Sequence, residues 1–99
     1  MKPTFAILLA VLSFCSAEAF AAGDSCKKIS ALAGQAMTAR QNGQLLEDSL
    51  DKIGDGSKFA QGVILKAYDQ PLMPNKHAKE EAVKEFQNSA FRECLDANS

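Results

Sequence analysis

The residues that carry chemistry most readily in a small chain are its cysteines, its histidines and its clustered acids. Here the cysteines are Cys15, Cys26 and Cys94, and the one histidine is His77. There is no Cys-x-x-Cys, and a pair as distant in sequence as Cys26 and Cys94 reads as structural rather than as a catalytic dithiol. A lone imidazole without a neighbouring nucleophile or cysteine makes neither a triad nor a zinc site, and the position of His77 in the first turn of a helix predicts exposure. Asp51-x-x-x-Asp55-Gly56 has the outline of a calcium loop. Aligned on the glycine, however, Ile53 and Gly62 fall where oxygen ligands are needed. These acids read as a solvated helix face and a turn. No glycine-rich phosphate loop, paired-carboxylate signature or nucleophile elbow is present. No catalytic residue, metal site or cofactor is therefore expected.

Two polar or apolar oddities remain. Arg40 stands at the end of a helical pattern but within its apolar arc. It reads as a structural ion pair: a cation near a helix C-terminus, its stem packed and its guanidinium on a carboxylate such as Glu47, Asp48 or Glu85. Leu72 and Met73 lie between Pro71 and Pro74, with the only tyrosine, Tyr68, just ahead of them. Apolar residues on a proline-stiffened surface loop mark a candidate partner-binding site formed by Tyr68, Leu72 and Met73. The competing structural reading is a lid folded back over the core.

The elements that must position these residues follow from the period of the apolar positions. Residues 1–21 have the layout of a secretory signal peptide: Lys2, an apolar run from Phe5 to Leu12, then small residues with cleavage expected after Ala19 or Ala21. Leu12-Ser13-Phe14-Cys15 partly matches a lipobox, but Phe14 stands where a small residue is wanted. The run is too short for a membrane span, which takes roughly 20 apolar residues. Residues 22–99 then form a single helical domain.

Four helical patterns fill that domain. The first starts at a Ser25 cap, carries Cys26, Ile29, Leu32, Ala33, Ala36 and Met37, and stops at Asn42-Gly43. A short second pattern places Leu46, Leu50 and Ile53 on one face and breaks at Gly54-Asp55-Gly56-Ser57. The third, from about Lys58 to Asp69, has Phe59, Ala60, Val63, Ile64, Ala67 and Tyr68 in its apolar half, and Leu65 outside it. Pro71 and Pro74 end it. The fourth opens at an Asn75 cap and runs to about Asp96, with Ala82, Val83, Phe86, Ala90 and Cys94 as its stripe. No segment alternates in the manner of a strand. Gly34 and Gly62 sit inside helices at about 1 kcal/mol each relative to Ala, for which close helix packing is a sufficient reason.

A domain of this size buries little core by itself. An even pair of cysteines in an exported protein reads as a disulfide. Joining Cys26 to Cys94 closes a loop of about 69 residues and stabilises the fold by roughly 4 kcal/mol in the chain-entropy model. The expected fold is thus all-α, a bundle of about four helices with its first and last helices stapled. The 11 basic and 12 acidic residues are interleaved, with no basic stripe, so nucleic acid is not an expected partner.

With these residues laid out, the chain resembles a group of small two-cysteine exported helical proteins of proteobacteria and their prophages. Cys26, Met37-x-x-Arg40-Gln41-x-Gly43 with Leu46, Ala67-Tyr68-x-x-Pro71, Ala82-x-x-Glu85-Phe86 and Cys94 carry the likeness. The resemblance implies a periplasmic or secreted helical protein and brings no binding residues with it. The leading functional expectation is a non-catalytic envelope protein that binds another protein. An acid-stress periplasmic chaperone is the alternative, resting on size, compartment and cysteine pair. A small enzyme, built around His77 or around Arg40 and Tyr68, is the least favoured.

Overall fold

The computed structural model describes residues 23–98. The leader and its cleavage sites lie outside the described residues. Among the described residues there are four helices: α1 over residues 23–41, α2 over Leu46–Lys52, α3 over Lys58–Tyr68 and α4 over Lys76–Ala97. Among the described residues there is no strand, as the sequence predicts.

The helix boundaries have local causes. α1 ends in a Schellman motif around Gly43, whose φ of 79° is the left-handed conformation that glycine adopts without strain. The Gln44 N–H reaches back to the Ala39 carbonyl at 3.0 Å and the Gly43 N–H to that of Arg40 at 3.1 Å. Ser57 caps α3, its hydroxyl accepting from the Ala60 N–H at 3.1 Å. Asn75 caps α4 through the Ala78 N–H at 2.9 Å. Ser25 does not cap α1: the chain is already helical at residue 23. A serine inside a helix costs only a few tenths of a kcal/mol relative to Ala, about as much as most polar residues, so the cap preference of Ser25 is easily lost.

The core is narrow. Ala36 and Met37 of α1 meet Ile64 and Ala67 of α3, and Leu46, Leu50, Ile53, Tyr68, Ala82, Val83 and Phe86 close around them. Cys26 and Cys94 are bonded at 2.05 Å with their Cα atoms 5.5 Å apart, which fastens the two ends that sequence separation holds furthest apart. α1 and α4 pack closely. Gly34 explains part of that closeness, because a Cβ there would fall 2.5 Å from the Gln87 amide, which itself bonds the Ser30 carbonyl at 3.2 Å. At Gly62 close packing is not the reason, since nothing lies within 4 Å of a Cβ built there.

α4 has 22 residues and holds no buried one. Its expected stripe, from Ala82 to Cys94, is only half covered. Phe59 also departs from expectation: it belongs to the apolar half of α3 yet is 57% exposed. Phe59 and, from the stripe, Phe86, Ala90 and Cys94 line an open groove between α3 and α4.

Candidate functional site

The prolyl loop is held by the end of α1. Three backbone groups of the loop find partners there. The Arg40 Nε donates to the Gln70 carbonyl at 2.9 Å. The Gln41 side-chain amide donates to the Pro71 carbonyl at 2.9 Å, and its carbonyl oxygen accepts from the Met73 N–H at 2.9 Å. Gln41 is 3% exposed. Its carboxamide thus pairs with the loop as a neighbouring strand would, one bond in each direction, and holds Leu72 between the two. The sequence gives no periodic signal for this residue. Its clues are position, a polar residue beside Arg40 at the end of the helix, and its place in the Met37-x-x-Arg40-Gln41-x-Gly43 likeness.

Arg40 is placed as expected near the α1 C-terminus, but its partner differs. No carboxylate among the described residues pairs with it. Its guanidinium stands 5.7 Å from the centroid of the Tyr68 ring, a cation–π distance, and its Nε is satisfied by a backbone carbonyl. The physical reason is that the loop brings the Gln70 carbonyl and an aromatic face to the helix end, and a planar guanidinium fits both at once. The cation that sits on the α1 carbonyls is Lys79, whose ammonium donates to the Gln41 carbonyl oxygen at 2.7 Å.

Tyr68 is also a tie. Its hydroxyl is hydrogen-bonded to that of Ser49 and donates to the Gln44 carbonyl at 2.8 Å. Ser49 is fully buried, so this network joins α3, α2 and the turn after α1. A buried serine engaged in this way is not presented as a nucleophile.

Leu72 and Met73 behave differently from each other. Leu72 is 53% exposed, whereas Met73 is half-buried and turns into the α3–α4 groove. The loop is therefore a lid at Met73 and a display at Leu72. His77 is exposed in the first turn of α4. Asp51 and Asp55 are exposed, and no group of three or more metal-ligating side chains occurs among the described residues. Asp55 accepts the Ser57 N–H at 2.9 Å; its carboxyl is held below the ordinary 3.8 by the Ser57 side chain and then by that N–H.

The groove alongside runs the length of α3. Its disulfide end has an open volume of about 480 Å³ and includes Phe59, Gly62, Val63, Ala90 and Cys94. Its loop end, of about 710 Å³, includes Asp69, Glu81, Glu85 and Met73. Lys66, Phe86, Ser89 and Glu93 belong to both parts, so the two adjoin as a trough crossed at its middle by one side-chain pair. Lys66 bridges it to Glu93 at 3.3 Å.

No protein-family model, curated protein or solved structure matches the chain.

Proposed function

We propose that this is an exported, non-catalytic helical protein of the cell envelope that binds another protein, in keeping with its resemblance to the two-cysteine exported proteins of proteobacteria. The observation that carries the reading is the rigid presentation of an apolar side chain: Leu72 is 53% exposed on a loop whose flanking backbone is fastened by Gln41 on both sides. Fixing a loop before contact lowers the ordering entropy that association otherwise costs. The Cys26–Cys94 disulfide suits an oxidising compartment, and no helix among the described residues is long and apolar enough to cross a membrane. Periplasmic or secreted placement, processing after Ala19 or Ala21, and an envelope partner are parts of the same proposal.

The test replaces Leu72 with Ser and compares crosslinked partners recovered from intact cell envelopes. The expected result is loss of a discrete partner with the melting temperature unchanged, since Leu72 makes little of the core. An unchanged set of partners discards the loop as the contact.

A further inference from the structure

We infer that the trough between α3 and α4 receives one amphipathic α-helix of a partner protein, its apolar face on Phe59, Gly62, Val63 and Ala90 and its lysine or arginine residues over Asp69, Glu81 and Glu85. This goes beyond the reading of the prolyl loop and rests on other residues.

Three observations lead to that occupant. The first is shape. Two helices that bound a trough offer a third helix the spacing of a bundle, in which interaxial distances are about 8–10 Å. A helix also satisfies its own backbone in an apolar trough, which an extended peptide does not.

The second is Gly62. Glycine within a helix costs about 1 kcal/mol relative to Ala, and no contact inside the molecule requires it, since a Cβ there meets nothing within 4 Å. It lies in the trough wall beside the exposed ring of Phe59. The missing side chain leaves a notch in which another backbone approaches α3 closely, as small residues permit between helices.

The third is charge. The disulfide end of the trough is mainly apolar, with Lys58 at its rim, while Asp69, Glu81, Glu85 and Glu93 surround its loop end with Lys66 as the one cation there. Lys66 is paired with Glu93, and Glu81 has only Lys84 at 3.8 Å. No cation among the described residues is paired with Asp69 or Glu85. The trough therefore favours a helix with an apolar half and a basic half, and disfavours an acidic one. The Lys66–Glu93 pair crosses the trough but is two-thirds exposed on both sides; such a pair contributes little, so its opening is a small obstacle.

The experiment uses the purified, oxidised protein and synthetic helical peptides with a leucine–alanine face and a lysine cluster at one end, followed by fluorescence anisotropy and by amide chemical shifts. The expected result is saturable binding that weakens with salt, with shifts centred on Phe59, Gly62 and Val63. An equivalent peptide with glutamate in place of lysine binds about tenfold or more weakly. Gly62→Leu, which fills the notch at a solvent-facing helical position, abolishes binding with no loss of thermal stability. Glu81→Lys with Glu85→Lys weakens it about tenfold, and Leu72→Ser leaves it unchanged, which separates this inference from the loop reading. Equal binding of basic and acidic peptides, binding that survives Gly62→Leu, or no saturable binding of the basic peptide overturns the inference. So does a homodimer that protects Phe59, which would make a second copy the occupant, or capture by lipid vesicles alone.

Discussion

The Gln41 carboxamide meets a backbone acceptor and a backbone donor of the prolyl loop at 2.9 Å each, in a site where almost no water reaches it. Gln41→Leu removes both partners and leaves the Pro71 carbonyl and Met73 N–H to find water. A loss of about 1–3 kcal/mol is expected, measured by denaturant unfolding, with faster hydrogen exchange at the Met73 amide. An unchanged Met73 exchange rate would mean that the loop is held by its prolines alone. Asp55 belongs to the same scale. Its folded-state carboxyl is held below the ordinary value of 3.8, so its contribution is present above the unfolded-state value and is lost as pH falls through the lower folded one. Asp55→Asn should lower stability slightly at neutral pH and flatten the fall in stability below about pH 4, so that the two proteins converge in acid. What was legible at this scale was residue type. Arg40 stands out in the sequence as an arginine in an apolar arc, but its partner is a peptide carbonyl, which no residue type announces. Gln41 was missed for the same reason.

At the scale of the element, the boundaries were legible because they rest on local chemistry: Gly43 in its left-handed turn, Asn75 as a cap, two prolines after α3. The faces were legible only in part. Cys26, Ala33, Ala36 and Met37 are buried as their spacing predicts. Periodicity places Phe59 on the apolar half of α3 correctly but is silent on whether another helix covers that half, and α4 does not. Gly62 follows from this. With no neighbour to exclude a side chain, Gly62→Ala should raise stability by about 0.5–1 kcal/mol through helix propensity, seen as a higher melting temperature. A decrease would show that some contact requires the glycine and would remove the notch from the account.

The whole molecule is a thin core enclosed by long helices and closed by one covalent bond. Four buried side chains at the α1–α3 contact, two of them alanines, cannot supply much burial, and α4 brings no buried residue. The Cys26–Cys94 bond, spanning 68 residues, therefore carries a large share. Its removal by Cys26→Ala with Cys94→Ala should cost about 4 kcal/mol, a loss comparable with the entire stability of a small domain, read as a collapse of the unfolding midpoint. A variant nearly as stable as the native protein would mean that helix packing suffices. The staple was legible from two cysteines and a leader-like start. The open trough was not, because it depends on where α4 lies relative to α3, a relation that short connections leave undetermined. Acid sensitivity of the chaperone kind would draw on ion pairs lost at low pH, and those of Lys66 with Glu93 and Lys84 with Glu81 are both exposed, where such pairs contribute little.

Protein binding through the fastened loop is tested most directly by photo-crosslinking in intact cells, with a photoreactive amino acid at position 72 in one strain and at position 77, on the exposed first turn of α4, in another. A discrete adduct specific to position 72, lost when Gln41→Leu releases the loop, is the expected result. The same adducts from both positions, or none from position 72, would contradict it.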